Sequence, residues 1–203
     1  MDERFLVVAL RAKPGKEEQL KRDLRNAEDM IELGSALSAD RLALLAPQAA
    51  GHTWYPLSFL APRQENEPYL SSALEQVRAA LALATNAGLT AAQVALCGFS
   101  QGACLATEFV ARHPQRYAGL LAFTGGLMGP LKEPISLSGD LSGTPVLLSS
   151  GDPDPHVPWK RVEQSAQLLT GIGANVSLKR YPRRPHTILP EEIENGRNLL
   201  FAR

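Results

Sequence analysis

Short apolar runs alternate along this chain with longer segments in which apolar residues recur at helical spacing. The runs with strand character are Phe5–Leu10, Leu42–Ala46, Val94–Phe99, Gly119–Phe123, Val146–Ser149 and Asn175–Tyr181. The helical segments are Lys16–Leu37, Pro68–Gly88, Gln101–His113, Val157–Leu169 and Pro190–Phe201. This alternation predicts an α/β fold with a mostly parallel sheet and helices on both faces. In such a sheet, functional residues are expected at the carboxyl ends of the strands.

Length and composition narrow the class of protein further. The chain has 203 residues, which suits one α/β domain over residues 1–203. Its content of 44% hydrophobic and 21% charged residues is typical of a globular protein. Its 21 basic and 21 acidic residues cancel, so charge provides no argument for binding nucleic acid or an anionic membrane. The apolar runs are too short to span a bilayer, and the first residues do not resemble a secretory signal. Cys97 and Cys104 form neither a disulfide framework nor a metal-ligand pattern, which favours a cytoplasmic location.

The sequence G-F-S-Q-G stands between the predicted strand Val94–Phe99 and the helix that follows it. A Ser on such a strand-to-helix turn is held in a strained conformation that exposes its hydroxyl above the sheet. This context predicts Ser100 as a nucleophile, with the N–H of Gln101 facing a developing oxyanion. The alternative is that Ser100 only caps the helix.

A nucleophilic Ser in this architecture requires an acid and then a His, in that chain order. The chain supplies G-D-P-D-P-H-V-P and R-P-H-T-I-L-P, each after a predicted strand. His186 is therefore the predicted base, and Asp152 and Asp154 are both candidates for the acid. Of the remaining histidines, His52 is interpreted as a loop residue and His113 as a helix-capping residue. His156 is interpreted as a rim residue, because it cannot easily bond back to the acid. No His, Cys and Asp cluster has metal-ligand spacing, so no metal is predicted.

Three motifs in this order resemble the phospholipase/carboxylesterase family of α/β-hydrolases, which includes acyl-protein thioesterases: G-F-S-Q-G-A, D-P-H-V-P and P-H-T-I-L-P-E-E. The resemblance covers about residues 25–203. It implies an α/β-hydrolase fold and a serine hydrolase that cleaves small-molecule carboxylic esters or thioesters through an acyl-enzyme without a cofactor. It also implies that Asp154 is the acid of the triad, whereas Asp152 is a turn residue.

The long Pro- and Gly-containing segment from Gln48 to Glu67 includes Trp54 and Tyr55. The resemblance places this segment beside the substrate pocket, so Trp54 is predicted to contact the substrate. The alternative is that Trp54 is a buried aromatic that anchors a surface loop.

Residues 1–24 depart from the family pattern. Members of the family begin with an apolar strand that leads into a His-Gly-x-Gly turn, which donates the second oxyanion N–H. Here the expected glycines fall near Arg22 and Leu24, and no Gly occurs between Gly15 and Gly34. The segment Phe5–Arg22 instead resembles the opening of an antibiotic-biosynthesis-monooxygenase domain. This departure supports a second hypothesis, a weakly active or inactive hydrolase-fold protein that binds a ligand or partner and could self-associate as a homodimer.

Overall fold

The computed structural model of the chain describes residues 5–10, 27–38 and 42–201. The strands in the described part are β1 (Phe5–Leu10), β2 (Leu42–Leu45), β3 (Val94–Phe99), β4 (Gly119–Phe123), β5 (Pro145–Asp152) and β6 (Asn175–Pro182). The α-helices are α1 (Ala27–Ser38), α2 (Tyr69–Asn86), α3 (Gln101–Arg112), α4 (Trp159–Gly171) and α5 (Pro190–Phe201). The predicted α/β class is confirmed. Among the described helices, none combines the length and the apolar composition that a membrane span requires.

The strands form one sheet in the order β2-β1-β3-β4-β5-β6, and every neighbouring pair is parallel. Their registers bring the carboxyl ends to one edge: Leu10 lies opposite Gly98, and Phe99 lies opposite Phe123. At the other side of the sheet, Asp152 lies opposite Pro182. The segments that leave β3, β5 and β6 therefore begin close to one another.

Strand β3 shows why a continuous apolar run belongs at the centre of this sheet. Val94 and Leu96 pack in one cluster, which contains buried residues of α2, α3 and α4. Ala95 and Cys97 pack in a second cluster with residues of α1 and α5. Both faces are covered, so Val94–Gly98 are buried, Phe99 is partly buried, and no position favours a polar side chain.

Several boundaries differ from the sequence expectations. Strand β5 continues to Asp152, three residues beyond the expected end at Ser149. Helix α4 begins at Trp159 rather than Val157 because the carboxylate of Asp154 accepts the N–H of Val157 and because Pro158 is extended. In the long loop, which is the segment from Gln48 to Glu67, two short 3-10 helices interrupt an otherwise irregular path. Of the helix expected over Lys16–Leu37, the part before Ala27 lies outside the described residues.

Candidate active site

Ser100 occupies the turn between β3 and α3 with a positive φ of 55° and a ψ of −119°. This conformation is rare for a residue with a Cβ and is usually found where the surrounding structure enforces it. The N–H of Ser100 donates to the carbonyl of Phe123 at 2.9 Å, and its carbonyl accepts the N–H of Cys104 at 3.0 Å. The backbone is thus held from both β4 and α3, as the strand–turn–helix motif predicts.

The glycines of G-F-S-Q-G allow the strand and helix to approach each other closely. A Cβ at Gly98 would lie 2.4 Å from the carbonyl carbon and oxygen of Gly102 and 2.6 Å from the N atom of Ala103. These are backbone atoms, which cannot move aside as a flexible side chain could. Only Gly fits at position 98 without separating α3 from β3.

Ser100, His186 and Asp154 form a continuous hydrogen-bond chain. His186 Nε2 lies 2.9 Å from Ser100 Oγ, and His186 Nδ1 lies 2.8 Å from Asp154 Oδ2. A carboxylate accepts but does not donate, so the proton of the neutral ring is assigned to Nδ1 and the Nε2 lone pair faces the Ser100 hydroxyl. The imidazole can therefore accept the proton of Ser100 while its far side is held by an anion.

The second oxygen of Asp154 is also occupied. Its Oδ1 accepts the backbone N–H groups of His156 and Val157, both at 2.9 Å, and the side chain is fully buried. Burial alone would raise the pKa of Asp154, but the hydrogen bond and charge of His186, together with the two N–H groups, hold it below its usual value. The carboxylate consequently remains ionised in the pH range in which histidines change charge.

Asp152, the other candidate acid, forms an ion pair with Arg180 across the β5–β6 ladder. Both side chains are partly exposed to solvent, unlike the side chain of Asp154. The structure therefore places Asp154, and not Asp152, in hydrogen-bond contact with His186.

Two aromatic rings contact the imidazole of His186. The Phe99 ring is tilted against it with centroids 4.9 Å apart, and the exposed His156 ring meets it edge-on at the same separation. The backbone N–H of His156 bonds to Asp154, and the position of His156 at the rim of the site stays a prediction. The turn brings the amide of His156 onto the carboxylate, whereas its ring meets His186 and not Asp154.

Gln101 contributes to the site in two ways. Its side-chain Oε1 accepts the N–H of Trp54 at 2.9 Å, and its Nε2 donates to the carbonyl of Tyr55 at 2.8 Å. Its own backbone N–H belongs to the first turn of α3, where helical N–H groups have no partner within the helix. The side chain therefore secures the long loop to α3 while the backbone N–H is oriented by the helix start.

Trp54 is 4% exposed and packs in the cluster that covers the α2 side of the sheet. Its Nε1 has no hydrogen-bond partner among the described residues. So little exposed surface supports the interpretation of Trp54 as an anchor of the loop. Contact between its ring and a substrate stays a prediction.

The chain is similar to known proteins over most of its length. A sequence profile described as phospholipase/carboxylesterase matches residues 39–200. The chain belongs to the phospholipase/carboxylesterase family. A solved structure of a phospholipase/carboxylesterase from Dyadobacter fermentans is 42% identical, with a TM-score of 0.86, and the match covers 97% of this chain and 89% of that one. The architecture is thus an α/β-hydrolase fold.

Two curated relatives match this chain over only part of their own length. A probable carboxylesterase of Oryza sativa subsp. japonica is 30% identical over 73% of this chain and 62% of its own length. An acyl-protein thioesterase 1 of Gibberella zeae is 30% identical over 54% of this chain and 47% of its own length. The chain spans about half to three fifths of the length of these relatives.

The two remaining histidines, His113 and His52, both have partners in the structure. His113 ends α3, where its ring stacks on Phe109 and its Nε2 accepts a hydrogen bond from Arg78 at 2.9 Å. His52 is exposed and its Nδ1 lies 3.1 Å from Gln48 Nε2. Within the described part of the chain, no three His, Cys, Asp or Glu side chains come close enough to hold a metal ion.

Both cysteines are fully buried, and burial raises the pKa of each thiol well above its usual value. A buried thiol that stays protonated is a small hydrophobic group and not a nucleophile. Both cysteines are thus part of the core.

Sequence reasoning did not identify two buried charged residues next to the site, Arg184 and Glu192. Their side chains are 1% and 0% exposed, and they face each other with Nε and Oε2 3.5 Å apart. The R-R-P-H sequence and the E-E pair at the start of α5 contain them, but a local pattern does not distinguish a buried Arg from the exposed Arg183 beside it.

Proposed function

We propose that the protein is a serine hydrolase that cleaves carboxylic esters or thioesters through a covalent acyl-enzyme. The observation that carries the proposal is the unbroken hydrogen-bond chain from Ser100 through His186 to the buried carboxylate of Asp154. Ser100 would be the nucleophile, His186 the general base and Asp154 the residue that orients the imidazole.

In the acylation half-reaction, Ser100 Oγ attacks the carbonyl carbon of the substrate while His186 Nε2 takes the hydroxyl proton. The resulting oxyanion is stabilised by the N–H of Gln101, and Asp154 stabilises the imidazolium. Collapse of the tetrahedral intermediate breaks the bond to the leaving oxygen or sulfur. The imidazolium returns its proton to that atom, so an alcohol or thiol leaves and an acyl ester remains on Ser100.

In the deacylation half-reaction, His186 takes a proton from a water molecule as the water oxygen attacks the acyl carbon. The second tetrahedral intermediate expels Ser100 Oγ, which recovers its proton from His186. A carboxylic acid leaves, and the enzyme is restored without any cofactor. The names of the relatives support both an alcohol and a thiol as leaving group.

The test is hydrolysis of p-nitrophenyl acetate and of S-acetylthiocholine by the wild type and by Ser100→Ala, with labelling by a fluorophosphonate probe. We expect the wild type to turn over at least one substrate and to be labelled, and Ser100→Ala to lose both properties because only Ser100 is deprotonated by His186. Ser72→Ala, at an exposed position of α2, is the matched control and should behave as the wild type. An unlabelled wild type that hydrolyses neither substrate contradicts the proposal and favours a ligand- or partner-binding protein.

A further inference from the structure

The loop that carries His186 is held by the guanidinium group of Arg184, two residues earlier in the chain. Its Nη1 donates to the carbonyl of Pro185 at 3.2 Å and also to the carbonyl of Thr187. These two carbonyls belong to the residues on either side of His186. One buried cation therefore restrains the backbone both before and after the imidazole-bearing residue.

The same guanidinium is fixed to the body of the fold. Its Nη2 donates to Thr124 Oγ1 at 2.5 Å, at the end of β4, and its Nε faces Glu192 Oε2. Glu192 in turn accepts the hydroxyl of Ser149 at 2.6 Å and the N–H of Leu189 at 2.9 Å. The hydrogen bond to Thr124 thus ties the His186 loop to the end of β4. The ion pair with Glu192 ties the same loop to β5 and to the first turn of α5.

A contribution to stability is a weak explanation for this pair. Taking two charges out of water has a desolvation cost that often offsets their attraction, and apolar replacements of such pairs are often neutral or stabilising. What the pair does provide is geometry, because a guanidinium presents several donors in a rigid planar fork. A Lys ammonium could balance the charge of Glu192 but would not reproduce the fork that donates to the two carbonyls and to Thr124.

We propose that Arg184, fixed by Glu192, is a positioning residue that keeps His186 Nε2 within hydrogen-bond distance of Ser100 Oγ. This inference rests on the proposed function, since it concerns the same reaction. A displacement of about 1 Å in a reacting group can reduce the rate about 10²-fold. The effect falls on the chemical step, because Arg184 contacts the His186 loop and not the substrate.

The experiment compares Arg184→Lys with Arg183→Lys, its exposed neighbour and matched control. The measurements are kcat and KM for p-nitrophenyl acetate, the rate of fluorophosphonate labelling, and the melting temperature. We expect Arg184→Lys to lower kcat and the labelling rate together by about 10²-fold with little change in KM. Arg183→Lys should match the wild type in every measurement.

A second variant separates positioning from folding. Arg184→Met/Glu192→Met removes both charges, so it leaves no unpaired buried ion and is expected to stay folded. We expect it to melt near the wild-type temperature yet to be as slow as Arg184→Lys. The downfield proton resonance of the His186–Asp154 hydrogen bond should broaden or shift in both variants.

The outcomes are distinguishable. A wild type that neither hydrolyses esters nor reacts with the probe contradicts the proposed function itself, whatever Arg184 does. An active wild type whose folded Arg184 variants keep full kcat and labelling overturns the positioning role. A loss of kcat that only follows the loss of folded protein also overturns it, because Arg184 would then act on stability alone.

Discussion

The two carboxylates of G-D-P-D-P differ in what their oxygens contact. Both oxygens of Asp154 are engaged, one by His186 and one by two backbone N–H groups, and no part of the side chain reaches solvent. Asp152 is partly exposed and pairs with Arg180, whose side chain is 56% exposed. An exposed pair of this kind contributes little to stability, whereas the buried acceptor fixes the orientation of an imidazole.

Asp154→Asn is expected to lower kcat by up to about 10⁴-fold, because an amide stabilises the wrong tautomer of His186 and not its cation. Asp152→Asn is the matched control and should leave kcat close to the wild-type value. Steady-state hydrolysis of p-nitrophenyl acetate by the two variants measures the difference. Equal losses, or a larger loss for Asp152→Asn, would reverse the assignment of the acid.

The pH dependence of kcat/KM follows from the same contacts. Only a neutral imidazole can accept the proton of Ser100, and histidines as a class change charge between about pH 5 and 8. The pKa of Asp154 is lowered, so its carboxylate stays ionised throughout that range and adds no second step. We expect kcat/KM to rise with pH through a single ionisation, and a flat profile would argue against a histidine base.

At the scale of secondary-structure elements, the turn between β3 and α3 determines how Ser100, the proposed nucleophile, is presented. The positive φ of Ser100 is maintained by hydrogen bonds to β4 and within α3. The helix can start this close to the strand only because position 98 has no side chain. Gln101, the first residue of the helix, then binds the backbone of Trp54 and Tyr55 with its side chain. A single turn thus orients both Ser100 and the long loop.

Gly98→Ala tests this packing. The added methyl group would meet backbone atoms of α3, so we expect the free energy of unfolding to fall by about 1–3 kcal/mol or more. We also expect Ser100 to be displaced and to react slowly with the fluorophosphonate probe. Gly171→Ala is the control, since a Cβ at the end of α4 meets nothing within 4 Å. It should be neutral or stabilising by about 0.4–1 kcal/mol in urea unfolding. Equal stability of the two variants would show that the close approach at Gly98 is unimportant.

At the scale of the whole molecule, the order of strands brings distant residues together. Ser100 follows β3, Asp154 follows β5 and His186 follows β6, and all three strands end at the same edge of the sheet. Strand β1 lies between β2 and β3 and ends at Leu10, opposite Gly98. Strand β1 therefore ends beside the turn that carries Ser100. The positions near Arg22 and Leu24, where the family glycines were expected, lie outside the described residues.

This place in the sheet gives a position for the second oxyanion donor that differs from the one expected near Arg22 and Leu24. We expect activity to increase when His-Gly-Arg-Gly replaces residues 11–14, directly after β1. Gly readily adopts a positive φ and lets a donor N–H come close to the acyl oxygen. One restored donor is expected to raise kcat by about 10²–10³-fold.

The control for this replacement is His-Ala-Arg-Ala at the same positions, with folding of both proteins checked by circular dichroism. An increase in kcat with His-Gly-Arg-Gly but not with His-Ala-Arg-Ala supports the absence of one oxyanion donor from the parent enzyme. A parent enzyme that is already fast, and that gains nothing from the replacement, would show that its oxyanion donors come from elsewhere.

The sequence by itself predicted most of the elements and the class of chemistry, and it indicated Ser100 and His186 as candidates for the nucleophile and the base. Apolar periodicity is a local property, so β3, β4 and α5 could be located from the burial that each pattern requires. The strand–G-F-S-Q-G–helix context likewise lies within a few residues of Ser100. Residue type and position after a strand were then enough to predict His186.

Only the tertiary structure decided which side chains meet across elements. Asp152 ends β5 and Asp154 lies two residues later, and the path of the chain between them aims Asp154 at His186 and Asp152 at Arg180. The burial of Trp54 depends on the packing of the long loop, which no local pattern contains. The contacts of Arg184 with Thr124 and Glu192 join segments from three parts of the chain. Such contacts depend on strand order and register, which are set by long-range packing and not by the residues adjacent in sequence.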